Sequence, residues 1–377
     1  MRIAIDYTAA INQRAGIGRF VRGLVGGLAA IDRENSYQLV HARPDPGARP
    51  LYPAAPNFSV RQLRFTERVL TIVWQRLGLP LHIDLFTAPF DVFHAPDFVL
   101  PPVRQGRTVL TVHDLAFLLV PECADARLRA YLEVAVPRSV QRADLIVTDS
   151  ENTRNDVIVL LNAKPDRVIT VPGGVESWFR PVDDAVKLAD VRARLGLDRP
   201  FILYVGLIEP RKNLVRLMDA FALLKARRRL PHRLVLGGGR GWLSDGIFAH
   251  AEKSPVANEI QFLGYVADAD LPALYSLADC FAFPSRYEGF GLPVLEAMAC
   301  GVPVVTADSS SLPEIAGDGA GLLVNADDVG ALADALEQLI LDEALRARLR
   351  QKGLERAAQF TWEAAAARQL DVYRRLC

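Results

Sequence analysis

Two successive series of strand and helix patterns run along this chain of 377 residues. The first series opens with an apolar run from Arg2 to Tyr7, followed by a glycine turn and a helical pattern of Phe, Val and Leu. The second opens with the run Phe201–Val205 and a helix from about Asn213 to Lys225. Strands that alternate with helices form parallel sheets covered on both faces, so the sequence predicts an α/β protein with two doubly wound domains.

Proline and glycine mark the expected domain boundary. The segment from Gly173 to Pro200 breaks the alternation and is interpreted as the crossing between domains. We expect an N-terminal domain at residues 1–175, a second at 176–359, and a C-terminal helix at 360–377 that packs back on the first. One long helical stretch is predicted from about Val329 to Gln359. The remaining predicted strands are Tyr37–Val40, Val92–His94, Val109–Val112, Leu145–Thr148, Val168–Val171, Arg233–Leu236, Ile260–Leu263, Cys280–Phe283, Val304–Thr306 and Leu322–Val324.

The composition argues against several classes of protein. Forty-four basic residues balance 44 acidic ones, which disfavours the positive field of a nucleic-acid-binding protein. The N-terminus reads as a strand instead of a signal peptide, and no run of about 18 apolar residues exists to span a bilayer. We therefore expect a cytoplasmic protein, soluble or at most peripheral to a membrane. Neither a disulfide framework nor a zinc cluster is predicted from the spacing of Cys123, Cys280, Cys300 and Cys377.

A glycine turn between two carboxylates, Glu288-Gly-Phe-Gly-Leu-Pro-Val-Leu-Glu296, stands out in the second series. Pro293 has no amide hydrogen and suits a first helical turn, so the N–H groups of Phe290 to Leu292 are expected to point outward, where a phosphate can bind. Glu288 and Glu296 would flank this anion site as hydrogen-bond acceptors, which match sugar hydroxyls. The alternative is an ordinary helix-start acid at Glu296 and a solvated loop residue at Glu288.

Adjacent cations follow the first strand of the second series. Arg211 can bind phosphate oxygens through two N–H groups, and Lys212 adds a compact charge. A departing diphosphate develops negative charge, and fixed cations can stabilise it where no acidic metal-binding pair stands at a strand end. Gly237-Gly-Gly239, at another strand end, would let a ligand lie close to the backbone. These residues predict a diphosphate site that uses no metal.

Two clusters follow strands of the first series. Gly16, Gly18 and Arg19 suit a phosphate or a closely approaching substrate, with a simple surface turn as the alternative. Val21 stands where a GxGxxG motif has its third glycine, which disfavours a nicotinamide site. His113 and Asp114 end an apolar strand, and Asp114 could fix the histidine tautomer or bind a hydroxyl itself. A structural histidine is the alternative.

Taken together, these motifs resemble the retaining glycosyltransferases of family 4, whose GT-B architecture has two Rossmann-like domains that face each other across a cleft. The resemblance covers nearly the whole chain. It is carried by the segments Pro284–Val305, Gly206–Asn213, Phe262–Val266 with Leu271–Tyr275, and Val171–Val175. Two departures are Leu207, where many relatives carry Arg, and Gly174, where Asn is more usual.

The resemblance implies specific roles for residues of this chain. Glu288 would hold a hydroxyl of the donor sugar, and Arg211 and Lys212 its diphosphate. His113 would contact the sugar beside the bond that breaks. Arg19 and Asp114 would lie on the acceptor side. The remaining implied donor contacts are Gly16, Gly18, Gly206, Gly238, Tyr265, Val266, Gly289, Phe290, Gly291, Leu292 and Glu296, with Tyr265 and Val266 near the base and Glu296 at the ribose.

The implied reaction moves a sugar from a nucleotide diphosphate to an acceptor hydroxyl with the anomeric configuration kept. The motifs look most like bacterial cell-envelope mannosyltransferases, so GDP-mannose is the favoured donor, with UDP-sugars as alternatives. No further cofactor is expected. Acceptors of this kind are glycans or lipid-linked glycans, so peripheral membrane contact is considered. The candidate residues, which ordinary helix faces would also explain, are Trp74, Arg76, Leu77, Leu79 and Arg227–Arg229.

Two alternatives keep the same fold. A sugar-nucleotide epimerase would share both domains and the nucleotide grip but would isomerise its donor without an acceptor. A non-catalytic nucleotide-sugar-binding protein would keep Arg211, Lys212 and Glu296 and lack acceptor-dependent turnover. The presence of both His113 and Glu288 argues against the second alternative.

Overall fold

The computed structural model describes residues 1–13, 16–48, 50–76, 79 and 81–376. The chain divides into two compact units. The first contains Met1–Leu115, Arg127–Gly174 and Phe360–Cys377, and the second contains Ala116–Ala126 and Val175–Gln359.

Each unit contains one parallel sheet. The first sheet has the strand order β3-β2-β1-β4-β5-β6-β7, and the second has the order β10-β9-β8-β11-β12-β13. In both sheets the first strand of the series lies inside the sheet, with later strands added on either side, as in doubly wound folds. The strands are β1 Arg2–Asp6, β2 Ser36–Arg43, β3 Phe58–Thr66, β4 Val92–Ala95, β5 Arg107–Val112, β6 Leu145–Thr148, β7 Val168–Thr170, β8 Phe201–Val205, β9 Arg233–Gly237, β10 Ile260–Gly264, β11 Cys280–Phe283, β12 Val304–Ala307 and β13 Leu322–Val324.

Helices make most of the connections between strands, as is usual for parallel pairing, whereas residues 96–106 between β4 and β5 contain no helix. Short 3-10 turns and one π-helical turn at Ile72–Arg76 complete the described structure. The α-helices are α1 Thr8–Asn12, α2 Ile17–Ile31, α3 Glu67–Thr71, α4 Ala116–Leu119, α5 Ala126–Arg142, α6 Glu151–Leu161, α7 Ala185–Arg194, α8 Leu214–Arg227, α9 Asp245–Lys253, α10 Leu271–Leu277, α11 Leu292–Ala299, α12 Leu312–Ala316, α13 Val329–Leu341, α14 Glu343–Ala357 and α15 Trp362–Arg374.

The two predicted doubly wound parallel sheets are confirmed. Strands β4, β6, β11 and β12 are buried along their whole length, which explains why they read as continuous apolar runs. The sequence analysis missed β3, because this edge strand is largely exposed and its sequence Phe-Ser-Val-Arg-Gln-Leu-Arg-Phe-Thr has no apolar run.

Two helical segments differ from the expectation. The single helix predicted from about Val329 to Gln359 is two helices, because Asp342 ends α13 and its side chain accepts a hydrogen bond from the N–H of Leu345 to cap α14. The expected interdomain crossing at 173–200 contains the helix α7.

The last helix belongs to the first unit, where α15 packs against α2. The rings of Phe20 and Trp362 meet edge to face with centroids 5.6 Å apart, and both lie in one buried cluster with Val21, Leu24 and Leu370. The second unit contains Ala116–Ala126, which the sequence analysis assigned to the first domain. The boundaries 1–175, 176–359 and 360–377 for independently folding domains stay a prediction.

Within the part of the chain that the structure describes, no helix combines the length and the hydropathy needed to cross a bilayer.

Two adjacent glycines of α2 provide a test of the α2–α15 contact. A Cβ at Gly27 would lie 2.2 Å from the carbonyl oxygen of Trp362, whereas a Cβ at Gly26 would meet open space. We expect Gly27→Ala to lower the free energy of unfolding by about 1–3 kcal/mol. Gly26→Ala should leave it unchanged or raise it by up to about 1 kcal/mol, because Ala favours helix. Urea unfolding followed by circular dichroism measures both, and equal stabilities would contradict the contact.

Candidate active site

The predicted donor residues of the second unit lie at the carboxyl ends of its strands. Strands β8 and β11 are neighbours in the sheet, and the chain leaves β8 toward β9 on the other side, so the strand order reverses between β8 and β11. Ligands of open α/β sheets bind at such a reversal. Arg211 and Lys212 follow β8 in the 3-10 turn Pro210–Lys212, and Glu288 follows β11.

These three side chains form a buried ionic cluster. The Nη1 atom of Arg211 lies 2.9 Å from Glu288 Oε2, and the Nζ atom of Lys212 lies 2.6 Å from Glu288 Oε1. Arg211 Nη2 also contacts Oε1 of Glu209 at 2.9 Å, and Nη1 donates to the carbonyl oxygen of Tyr287. The structure therefore brings together the cation pair and the sugar-binding carboxylate that the sequence predicted separately.

The charge state of Glu288 follows from this cluster. Burial alone would raise the pKa of its carboxyl group, but Arg211 and Lys212 outweigh burial and lower the pKa to about 2. Glu288 is therefore ionised throughout the neutral range and can only accept hydrogen bonds. A carboxylate with this pKa is a weak base, which suits it to holding a hydroxyl better than to transferring a proton.

The turn after Glu288 leads into α11. Gly291 precedes the helix with φ 112°, and Ser311 Oγ donates to the carbonyl oxygens of Glu288 and Phe290. Proline occupies the first turn of α11, as predicted. The first N–H groups of a helix have no acceptor within it, so this turn can bind an anion. Gly289 and Leu292 complete the turn beside the cations.

Glu296 lies deeper than the other acids. Its side chain is 1% exposed in the second turn of α11, and the hydroxyl of Tyr275 donates to its Oε2 at 2.9 Å. Glu296 is therefore not the first-turn acid of the alternative interpretation, and Glu288, which is 7% exposed, is not a solvated loop residue. The implied contact between Glu296 and a ribose stays a prediction.

Glycines bring the backbones of the neighbouring loops together. The N–H of Gly206 donates to the carbonyl oxygen of Gly237, and that of Gly238 donates to Gly264, so the parallel ladder continues past the ends of β8, β9 and β10. Gly206 and Gly238 have φ of 154° and 145°, and a Cβ at Gly238 would lie 1.8 Å from the carbonyl oxygen of Gly206. No side chain fits at Gly238 without displacing this backbone.

The loop after β10 carries the residues predicted near the nucleotide base. Val266 is buried, whereas Tyr265 is 58% exposed. An exposed aromatic ring at a strand end is available for stacking, and no ligand contact is needed to fold this loop.

In the first unit, His113 follows β5. Its ring is hydrogen-bonded to a carboxylate that was not singled out from the sequence. Its Nδ1 lies 2.7 Å from Oδ2 of Asp149, and its Nε2 lies 2.8 Å from the carbonyl oxygen of Pro96. Of the two roles considered for Asp114, fixing the histidine tautomer falls to Asp149, and binding a hydroxyl stays a prediction. The pairing of Val112 with Thr148 in the sheet explains the contact, because it puts the next residues of β5 and β6, His113 and Asp149, side by side.

The charge of His113 depends on this partner. Burial would lower the pKa of the imidazole, but Asp149 outweighs burial and raises the pKa to about 9. Burial raises the pKa of Asp149, and the positive charge of His113 opposes that rise. The stabilising effect of a charged His113 is therefore present below its ordinary pKa of 6.5 and is lost as the pH rises through about 9.

The glycines after β1 have different environments. Gly16 is exposed and precedes α2 with φ 55°, whereas Gly18 is buried and a Cβ there would lie 2.0 Å from the carbonyl oxygen of Gln13. Packing of α2 thus explains Gly18 without a ligand. Arg19 is partly exposed in the first turn of α2, and Ala15 lies outside the described residues.

Two acids of the sites were missed by the sequence analysis, Glu209 and Asp149. Glu209 is 1% exposed, and its Oε2 is buried without a hydrogen-bond partner among the described residues. Asp149 could have been found from sheet topology, since it follows β6, whose end adjoins that of β5 before His113. Glu209 could have been found from its place in the loop after β8, two residues before Arg211.

The candidate membrane-contact residues have local partners. Trp74 Nε1 donates to the carbonyl oxygen of Leu81, while Arg227 pairs with Asp334 and Arg228 with Glu337. These are the contacts of ordinary helix faces, although Leu79 is 50% exposed. Leu77 lies outside the described residues, and the side chain of Arg76 is not described.

Among the residues that the structure describes, the remaining metal-capable side chains form no cluster. Cys123, Cys280 and Cys300 are buried free thiols, and Cys377 lies outside the described residues. Across residues 1–13, 16–48, 50–76, 79 and 81–376, no group of three His, Cys, Asp or Glu side chains could hold a metal ion.

Two Rossmann-like units with an anion-binding turn and a cation pair at the strand ends define a sugar-nucleotide transferase of GT-B type. The family model "Glycosyl transferases group 1" matches residues 189–356, and "Glycosyltransferase Family 4" matches residues 14–178. The chain belongs to this glycosyltransferase family, and the family resemblance noted from the sequence is confirmed. It is therefore an enzyme.

The chain is similar to O-antigen chain mannosyltransferase B of Escherichia coli, with 38% identity over 285 residues that span 76% of this chain and 74% of that protein. It is 32% identical over 300 residues to the serotype-specific mannosyltransferase WbdA of Escherichia coli, covering 78% of this chain and 36% of that protein. The fold is similar to that of sucrose-phosphate synthase from Thermosynechococcus elongatus, with a TM-score of 0.80, 24% identity and coverage of 100% and 99% of the two chains.

Replacing Glu288 tests the ionic cluster. Glu288→Gln removes the carboxylate that contacts both cations and leaves buried Lys212 beside a neutral amide, so we expect the free energy of unfolding at pH 7 to fall by about 2–4 kcal/mol. Because the pKa of Glu288 is depressed, its stabilising effect is present above its ordinary pKa of 4.5 and is lost as the pH falls toward 2. The difference in the free energy of unfolding between the variant and the unsubstituted protein should therefore become smaller below about pH 4.5.

Urea unfolding at several pH values measures this effect. The matched control is Glu337→Gln, which removes a surface ion pair with Arg228 and should cost less than about 1 kcal/mol. A Glu288 variant as stable as the Glu337 variant at pH 7 would show that the cluster contributes no stability.

Proposed function

We propose that this enzyme is a retaining mannosyltransferase, which transfers mannose from GDP-mannose to a hydroxyl of a glycan or lipid-linked acceptor in cell-envelope polysaccharide synthesis. The observation that carries the proposal is the buried contact of Glu288 with Arg211 and Lys212, beside the first turn of α11. The names of the relatives above support mannose as the sugar and a polysaccharide such as O-antigen as the product.

The two ends of the proposed donor match two kinds of group. Phosphate oxygens are anionic and would bind Arg211, Lys212 and the N–H groups at the start of α11. The hexose carries neutral hydroxyls, for which ionised Glu288 is a matching acceptor. Because Arg211 also contacts Glu209, the guanidinium keeps one carboxylate partner when Glu288 turns to the sugar. Glu296 is proposed to bind the ribose, and Tyr265 and Val266 to line the base.

The proposed chemistry needs no protein nucleophile. The bond between the anomeric carbon and the diphosphate oxygen breaks, and the acceptor oxygen bonds to that carbon on the same face. The acceptor proton moves to the departing diphosphate, whose charge the fixed cations stabilise. The low pKa of Glu288 supports a positioning role over a nucleophilic or basic one. His113 is proposed to contact the sugar, with Arg19 and Asp114 on the acceptor side.

Similarity to transferases favours transfer over the epimerase and binding-protein alternatives. The proposal places the enzyme in the cytoplasm at the inner face of the cytoplasmic membrane, where a lipid-linked acceptor is exposed. Co-sedimentation with anionic vesicles would measure the membrane contact.

The cationic site is tested by binding of GDP, which requires no acceptor. Arg211→Ala and Lys212→Ala should each raise the dissociation constant of GDP by about tenfold or more, equivalent to about 1.4 kcal/mol. The control is Arg216→Ala. The side chain of Arg216 is 44% exposed, and its ion pair with Asp219 is long, at 3.9 Å. Isothermal titration calorimetry measures all three variants. Unchanged GDP binding in the Arg211 and Lys212 variants would rule out this diphosphate site.

The donor is tested by turnover. We expect the enzyme to transfer mannose from GDP-mannose to an alkyl mannoside or to a lipid-linked glycan primer, and to use UDP-glucose much more slowly. Nuclear magnetic resonance of the product should show that the new linkage keeps the anomeric configuration of the donor. Preferred use of a UDP-sugar would overturn the GDP-mannose assignment, and an isomerised donor released without acceptor would favour an epimerase.

A further inference from the structure

The hydrogen bonds of His113 define the protonation of its ring. Nε2 faces the carbonyl oxygen of Pro96, which only accepts hydrogen bonds, so this nitrogen carries a hydrogen. Nδ1 faces Oδ2 of Asp149 at 2.7 Å, and an ionised carboxylate also only accepts. With Asp149 ionised, both contacts are satisfied when both nitrogens are protonated, which makes the ring an imidazolium with no lone pair left.

Asp149 is placed to hold that charge. It is 5% exposed, and its other oxygen, Oδ1, is buried with no hydrogen-bond partner among the residues the structure describes. The carboxylate is thus directed at His113. His113 and Asp149 directly follow the neighbouring strands β5 and β6, so the register of these strands fixes the distance between the two side chains.

The other groups around the ring do not take the place of Asp149 as the counter-charge of His113. Asp97, which follows β4, adds a favourable charge, but burial raises its pKa to about 6. His94 in β4 is neutral, because burial lowers its pKa to about 3. From α2 and the loop after β4, the rings of Phe20 and Phe98 meet the imidazole edge to face, with centroids 5.0 and 5.5 Å away. Asp114 interacts electrostatically with Asp149.

We propose that Asp149 is a positioning residue that holds His113 as an oriented imidazolium. The inference rests on the proposed function for the contact of His113 with the sugar, but the pairing itself does not. An imidazolium cannot take the acceptor proton. The acceptor O–H bond therefore breaks with its proton passing to the diphosphate oxygen, and His113 acts by its position and charge.

The pH profile of transfer tests the proposal. In the unsubstituted enzyme, kcat should fall on the basic side near pH 9, where His113 loses its proton. In Asp149→Asn the ring loses its counter-charge, and the fall should move to pH 6.5 or lower. At pH 8 the variant should then be about thirty-fold slower, with activity partly recovered near pH 6. The KM for the donor should change much less than kcat.

A second aspartate of the same strand is the matched control. Asp144 immediately precedes β6, as Asp149 follows it, and accepts hydrogen bonds from the N–H and hydroxyl of Thr108. Asp144→Asn removes a carboxylate at the opposite end of β6 and should leave the pH dependence of kcat unchanged. If Asp149→Asn lowers kcat equally at every pH, as a merely structural residue would, the proposal is overturned.

The charge of His113 can also be observed without turnover. Histidine side-chain nuclear magnetic resonance of the full chain should show both ring nitrogens protonated at pH 7.5, with titration near pH 9. A neutral ring at pH 7.5 would overturn the proposal even if Asp149→Asn fails to fold. This measurement also separates the two hypotheses, because a charged His113 in a protein that transfers no mannose would refute the proposed function and leave the pairing intact.

Discussion

The contact of Glu288 with Arg211 and Lys212 is the constraint on which the proposed donor site depends. Glu288 and Glu209 are buried carboxylates, and Arg211 and Lys212 balance their charges. The loop after β8 and the loop after β11 therefore fix each other's conformation at the point where the strand order reverses. The same contact keeps Glu288 ionised, so one interaction sets both the shape of the site and its hydrogen-bonding character.

The first unit applies the same principle with different residues. His113 and Asp149 come from adjacent strand ends, and each compensates the charge of the other in a buried position. In the first unit the parallel register of β5 and β6 determines which side chains meet. In the second unit Arg211 and Glu288 meet through the loops that follow β8 and β11. The reaction that these sites support requires charges that are already in place when the diphosphate departs, since an arrangement fixed in advance needs no reorganisation.

The sequence predicts those features that depend on local pattern. Strands β6, β8, β11 and β13 were predicted with the bounds that the structure has, because apolar runs end where the strands end. Edge strand β3 carries arginines on an exposed surface and gives no such signal. The capping function of Asp342 was also missed, because an acid between two helices reads as part of one longer helix. Asp149 became visible only when the sheet order placed it beside His113. Glu209 stands two residues before Arg211 in the sequence, but its burial against Arg211 is a feature of the folded loop.

The central claim is that the diphosphate of the donor binds Arg211, Lys212 and the first turn of α11. A crystal structure of the enzyme with GDP tests it most directly. The account predicts phosphate oxygens within about 3.2 Å of the guanidinium, the ammonium and at least one N–H of the turn. Phosphates bound elsewhere, with Glu288 still paired to both cations, would contradict it.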